Sequence, residues 1–388
     1  GAGVDTLVGG SGNDVYRFDT NDVASGESIT DSGGSADVVE IVTTTDFATN
    51  MPVASLNDIE QIRFAGANQT ATFTGLQLTG ETLSLRETAA GTSNLVINLG
   101  SGETATFINM TATSFTSGSD VITINGVDGG NENITGPNVS STITGGTGAD
   151  TIVAGTGNDT IDGGGGADPL TGGNGNDVYL FNTNDVASGE SITDSGGSAD
   201  VVAIVTTTDF DNMPDNSLND IEQIRFAGAN QTGTFKGTQL TGETLLLTET
   251  VAGTSTLVIN VAAGTTANFA NMTASSFTSG TDVITINASG VTDITGPNLI
   301  TTINGASGGD TLTGGSSDDT INGLNGDDLI DGGAGADVLV GGGGDDVYFF
   351  NTNDVASGES ITDSGGSADV VAIVTTTDFA NMTANSFN

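Results

Sequence analysis

The chain of 388 residues has no cysteine, no histidine and no tryptophan, and its only basic residues are Arg17, Arg63, Arg86, Arg225 and Lys236. Without cysteine it cannot use disulfides, the usual staple of small secreted domains. Five basic residues stand against 49 acidic ones, a formal net charge of −44. That balance lacks the basic footprint of a nucleic-acid binder and disfavours anionic membrane surfaces. There is no apolar run long enough to cross a membrane and no signal peptide. Carboxylate pairs serve as acid and base in sugar hydrolysis. Such sites also need a cation, His or Tyr to bind substrate and steer protons, so the chain reads as not an enzyme. A chain this acidic repels itself and needs counter-ions to compact.

What is present repeats every nine residues. Residues 145–180 read GGTGADTIV, AGTGNDTID, GGGGADPLT and GGNGNDVYL, four nonapeptides in tandem. Asp150, Asp159, Asp168 and Asp177 fall nine apart, and so do Ile152, Ile161, Leu170 and Tyr179. A second cluster, 305–349, keeps the spacing with Asp310, Asp319, Asp328, Asp337 and Asp346. A third, 1–18, carries Asp5 and Asp14 with Leu7 and Tyr16. A flexible Gly/Asp linker predicts no such apolar register.

The residue types suit Ca²⁺, which takes six to eight oxygens from carboxylates and backbone carbonyls. Glycine allows the positive φ by which a tight turn aims its carbonyls at one point. The three residues after each Asp predict a short strand with its central side chain inward. Two nonapeptides then make one coil. Asp150 stacks with Asp168 on one edge and Asp159 with Asp177 on the other, with calcium between successive coils.

These residues resemble the RTX (repeats-in-toxin) family, whose motif is GGxGxDxUx with U large and apolar. The resemblance is confined to the three clusters. It implies right-handed parallel β-rolls with calcium in the turns, an extracellular destination and folding triggered by external calcium. Two positions depart from the pattern. Ser317, in GGSSDDTIN, replaces a glycine, and Pro169 follows Asp168 without an N–H for a ladder. Local irregularity is expected at both.

A longer period overlies the short one. TNDVASGESITDSGGSADVV occurs unchanged at 20–39, 183–202 and 352–371, which divides the chain into repeat units 1–171, 172–340 and 341–388. Each copy holds an Asp pair six apart: Asp31 and Asp37, Asp194 and Asp200, Asp363 and Asp369. These pairs read either as further calcium ligands or as turns capping their own backbone. The remaining stretches alternate short apolar runs with Gly, Ser, Thr and Asn, which predicts many short strands. One helical turn is expected within 46–62. The fold expected is an all-β, right-handed parallel β-helix (β-solenoid) with RTX β-roll segments and coils of about 18–20 residues. The alternative is RTX β-rolls alternating with small β-sandwich domains. Arg63 and Arg225, both in the triplet IRF, read as surface ion-pair partners.

The chain begins inside a nonapeptide at Gly1 and stops inside a long repeat at Asn388, which reads as a fragment of a longer protein. The expected function is a non-enzymatic structural protein of the extracellular space or bacterial cell surface. It would be a filament, surface layer (S-layer) or adhesin stalk that folds on meeting external calcium. The alternative is the secretion and folding module of a larger toxin or hydrolase exported by type I secretion. The partners expected are several Ca²⁺ ions, further copies of the chain and a cell-surface polysaccharide. Nucleic acid and membrane insertion are not expected.

Overall fold

The computed structural model describes residues 1–56, 58–115, 119–218, 220–277 and 281–382. The last six residues of the third repeat unit lie outside them. The chain forms two compact units, residues 1–180 with 187–200, and residues 181–186 with 201–388. Each unit is a stack of short strands of two to six residues. Every strand pair among the described residues is parallel.

In the first unit the nonapeptides build the regular coils. Strands Thr142–Thr147 and Thr160–Gly165 pair with Ile143 beside Ile161, and Ile161 pairs in turn with Tyr179. On the other side Ile134, Ile152, Leu170 and Ile192 stand in register. All of these side chains are buried. The sequence alternates Thr or Asp with Ile or Leu, so one face of each strand enters the core and the other meets solvent. Burying each such side chain is worth roughly 1.5–3 kcal/mol. The second unit repeats the scheme: Ile294, Leu312, Ile330 and Tyr348 form one row, and Ile286, Ile303, Ile321, Leu339 and Ile361 the other.

The stretches between nonapeptide clusters continue the same stack, which overturns the β-sandwich alternative. A sandwich is built of antiparallel sheets. Here Ile124 pairs in parallel with Ile143, carrying the wide coils directly into the nonapeptide coils. The wide coils exceed the expected 18–20 residues. Val15 pairs with Val38, Asn94 with Val121 and Thr104 with Asn133, offsets of 23, 27 and 29.

The extra width is filled by aromatic rings and sealed by glutamines. Phe47 and Phe73 stack at 4.6 Å with planes 2° apart, and Phe18 meets Phe47 edge-on at 5.1 Å. Buried Gln77 donates from Nε2 to the Phe47 and Met51 carbonyls, each at 3.2 Å. It satisfies backbone groups that the longer coil cannot pair within the sheet. The expected helical turn within 46–62 is present as Val53–Leu56. Two further turns, Gly75–Leu78 and Gly237–Leu240, follow strands where the sequence showed no helical period.

Candidate metal centre

Each nonapeptide hexad turns the chain sharply between two strands. In the second one Gly155 and Gly157 have φ of 118° and 132°, a region that favours glycine. A Cβ on Gly155 would also stand 2.5 Å from the Pro137 carbonyl oxygen of the preceding coil. Leu324 occupies the corresponding place in one later turn, at φ 79°.

The Asp that closes each hexad turns its carboxylate inward, and Asp150, Asp159, Asp168 and Asp177 are fully or almost fully buried. The stacking follows the expected pairs. Asp150 N–H donates to Asp168 Oδ1 and Asp159 N–H to Asp177 Oδ1, both at 2.7 Å. In the second unit Asp310 donates to Asp328, Asp319 to Asp337 and Asp328 to Asp346, each at 2.8 Å. One oxygen of each acceptor is thus held by an amide. The other oxygen, Oδ2, is buried and accepts nothing in Asp14, Asp37, Asp150, Asp159, Asp177, Asp328, Asp337 and Asp346.

These oxygens lie beside carbonyls of the next coil. A Cβ on Gly145 would be 2.5 Å from both Asp150 Oδ2 and the Gly163 carbonyl oxygen. One on Gly323 would be within 2.7 Å of both Asp328 Oδ2 and the Gly341 carbonyl oxygen. The donors are all oxygen, carboxylate plus carbonyl, the set a hard divalent cation takes. An ionised carboxylate only accepts hydrogen bonds, and a dry turn makes an unmatched charge costly. Burial accordingly pushes the Asp159 carboxyl up to about 6. Burial, with the charges of Asp159, Asp194 and Asp200, pushes Asp177 up to about 7. Asp319 and Asp337 reach about 7 for the same main reason. The residues present fit calcium.

The Asp pairs of the long repeat join the last nonapeptide Asp of each cluster. Asp14 with Asp31 and Asp37, Asp177 with Asp194 and Asp200, and Asp346 with Asp363 and Asp369 each offer three carboxylate oxygens within 4.8 Å of one another. The turn-capping geometry is there too: Asp194 Oδ1 accepts the N–H of Ser195 at 2.7 Å and of Gly196 at 3.2 Å. Its Oδ2 accepts the Tyr179 hydroxyl at 2.7 Å, and that hydroxyl accepts the Gly172 N–H at 2.7 Å. Tyr348 repeats the contact to Asp363 at 2.8 Å, and Tyr16 to Asp31 at 2.5 Å. Burial and the neighbouring carboxylate hold the Tyr179 phenol far above its usual range. The tyrosines are core residues, as their register predicts, that also clamp these Asp clusters.

Not every predicted position is alike. Asp5 is 45% exposed and joins no cluster among the described residues. Asp310 and Asp319 each have both oxygens held by amides, of Thr292 and Ala306 and of Thr301 and Gly315. Pro169 starts its strand and pairs beside Ser191, and Asp168 keeps its place in the ladder, so the expected irregularity amounts to one missing N–H. Ser317 leaves the Asp319 ladder intact and donates its hydroxyl to the Asn298 carbonyl at 3.1 Å.

Among the acidic residues missed in the sequence are three of the 20-residue block. Glu27, Glu190 and Glu359 are buried and accept the N–H of Asp5, Asp168 and Asp337 at 3.1, 2.9 and 3.0 Å. They continue the ladder one coil beyond the nonapeptides. Glu-Ser-Ile has the same acid–x–apolar spacing as Asp-Thr-Ile, and that spacing was the available signal. Arg63 pairs with Glu40 as expected, at 2.5 Å, but Arg225 makes no ion pair among the described residues. The residue matching Glu40 is Ala203, which lies beside Arg225. Both arginines sit inside their strands, Gln61–Phe64 and Gln223–Phe226.

No curated protein and no solved structure matches the chain. The profile of the RTX calcium-binding nonapeptide repeat matches residues 1–17, 144–179, 301–330 and 323–354. Buried acidic ladders, glycine turns and this match lead to one statement: the chain carries the RTX calcium-binding nonapeptide repeat in four copies, within a parallel β-solenoid.

Proposed function

We propose that the chain is a calcium-folded structural repeat of the bacterial cell surface, built to assemble into a filament, surface layer or adhesin stalk. The ligands are Asp5, Asp14, Asp150, Asp159, Asp168, Asp177, Asp310, Asp319, Asp328, Asp337 and Asp346. Asp31, Asp37, Asp194, Asp200, Asp363 and Asp369 complete the last site of each cluster. The observation that carries this reading is the row of buried carboxylate oxygens with no acceptor-matched donor. In a chain of net charge −44 such rows oppose folding until a cation enters. Ion binding and folding are then one event, and mass action makes stability rise with free calcium. Low calcium leaves the chain expanded; calcium outside the cell closes the turns.

The structural role, in preference to a secretion module, is supported by the unchanged 20-residue block at 20–39, 183–202 and 352–371. Near-identical units repeated through one chain suit a repetitive surface element.

The test is circular dichroism with light scattering during a calcium titration of the EGTA-treated chain. A coil-to-β transition near millimolar calcium, followed by particle growth, is the expected result. Folding without growth would refute assembly and leave the secretion module. Full β structure in EGTA would refute calcium-driven folding.

A further inference from the structure

Asparagine stands directly before glycine at Asn125, Asn174, Asn304, Asn322 and Asn325. This pair carries its own chemistry. The glycine amide nitrogen, unhindered by a side chain, attacks the asparagine side-chain carbonyl carbon once it gives up its proton. A C–N bond closes a cyclic imide, and the side-chain nitrogen leaves as ammonia with that proton. Water then opens the ring to aspartate or isoaspartate. Water is the only co-reactant.

The solenoid imposes these pairs. A Cβ on Gly126, Gly175 or Gly326 would run into the carbonyl of Gly145, Gly157 or Gly308, and one on Gly305 into that of Gly323, each in an adjacent coil. Coil spacing therefore fixes the glycines, and rows across the coils fix asparagines. Asn260, Asn287, Asn304 and Asn322 stand in register across four strands of the second unit. Asn304 Nδ2 donates to Asn287 Oδ1 at 2.9 Å, and Asn322 Nδ2 to Asn304 Oδ1 at 2.8 Å. In the first unit Asn125 Nδ2 donates to Asn98 Oδ1 at 2.9 Å.

Folding restrains both reacting groups. The attacking nitrogens are held by neighbouring coils. Gly126 N–H donates to the Thr144 carbonyl and Gly305 N–H to the Asn322 carbonyl, both at 2.7 Å. Gly326 N–H donates to Gly343 at 2.6 Å and Gly175 N–H to Gly196 at 3.3 Å. The leaving amides of Asn125, Asn304 and Asn322 are tied along their rows. Ring closure needs the glycine nitrogen to release its carbonyl partner and swing toward the preceding side chain. An expanded chain imposes neither restraint.

The product does not fit where the amide did. A carboxylate at position 304 only accepts hydrogen bonds, and it would face Asn287 Oδ1 in place of the donor now there. Isoaspartate adds a carbon to the backbone of a strand whose residues pair one to one. In the first unit Thr144 and Asp162 continue the row of Asn125, so its nonapeptide coils have no asparagine row to lose.

We propose that Asn304 and Asn322 are deamidation sites that the folded solenoid shields and the calcium-free chain exposes. Time spent without calcium then accumulates in the second unit as an irreversible loss of fold. This inference rests on the calcium reading of the repeats for its trigger alone.

The experiment incubates the full chain at pH 8 in EGTA and, in parallel, in saturating calcium. Peptide mapping by mass spectrometry follows the conversion of Asn304 and Asn322. Conversion in calcium should be slower by about tenfold or more, because only a locally opened coil reacts. Calcium returned to the EGTA sample should restore a β signal that falls as conversion rises. Asn304→Thr/Asn322→Thr brings in the residue that the first unit has at Thr144 and should retain more β signal than the parent after the same incubation. Asn304→Asp should show the weakened recovery without any incubation. Equal conversion rates in EGTA and calcium would overturn the shield, and full recovery of a converted chain would overturn the loss of fold. A parent that stays folded in EGTA would refute the calcium reading instead. The same comparison between native and urea-unfolded chains then decides the shield, and equal rates there overturn it.

Discussion

In the first long repeat Arg17, Glu40, Arg63 and Arg86 stand side by side across four parallel strands. The second repeat has Leu180, Ala203, Arg225 and Thr248 at the corresponding places. Arg63 reaches Glu40 at 2.5 and 2.9 Å, and Arg17 reaches the other Glu40 oxygen at 2.7 Å. Arg225 lies between Ala203 and Thr248, and burial lowers its pKa. Yet the strands keep one register: Val38 pairs with Gln61, and Val201 with Gln223. The stacked rings also agree, Phe47 on Phe73 at 4.6 Å and Phe210 on Phe235 at 4.4 Å. The fold thus rests on the inward rows and the backbone ladder, and the charges on the outer face are interchangeable. The acidic edges are different, because their carboxylates are buried and must be matched.

The strongest way to break this comparison is to remove the ion both units share. At pH 7.5 in EGTA most of the β signal should disappear. Asp177, Asp319 and Asp337 have folded-state pKa values near 7, above the unfolded value of 3.8. A raised folded pKa means that the folded chain holds more protons. Its contribution to stability is complete below pH 3.8 and is lost as pH rises through about 7. Acidifying the metal-free chain from pH 7.5 to 4.5 should therefore restore β structure. A metal-free chain indifferent to pH would mean that the edge carboxylates do not control folding. Recovery in two separate steps would mean that the two units depend on them unequally.

A smaller effect sharpens the part played by the core. Phe47→Ala and Phe210→Ala remove equivalent buried rings and should each cost about 3–5 kcal/mol in urea denaturation with calcium present. Unequal losses, differing by more than about 1 kcal/mol, would show that the outer charge row supports the ring stack after all.

The smallest effect concerns that row itself. Glu40→Ala gives the first repeat the surface of the second and should cost less than about 1 kcal/mol, and less still in high salt. Ala203→Glu should return a similar amount to the second repeat by giving Arg225 a partner. A loss of several kcal/mol in Glu40→Ala would make the ion pairs structural and the two repeats unequal in kind.

The inward rows of the nonapeptide coils were legible in the sequence. Ile152, Ile161, Leu170 and Tyr179 recur at a spacing that only one coil geometry satisfies, and the stacking of Asp150 on Asp168 follows from it. The wide coils were legible as parallel strands but not in their width. Their turns vary in length and close on Phe47, Gln77 and the short helix Gly75–Leu78, which carry no period. Arg225 was misjudged because an ion pair depends on the strand beside it, and Ala203 arrives there only through the register. Glu27, Glu190 and Glu359 were passed over because glycine marks the ligand turns, and the acid–x–apolar spacing outlasts the glycines.

The amino-acid sequence alone determined the period, the parallel class, the oxygen chemistry of the turns and the need for a cation. Each of these follows from residue types at fixed local spacing. Tertiary structure alone decided which carboxylates meet. Asp177 joins Asp194 and Asp200, 17 and 23 residues further on, across a coil longer than two nonapeptides. A difference of a few residues in a loop shifts which side chains share an edge, and contact distance, not sequence distance, sets whether two charges need an ion between them.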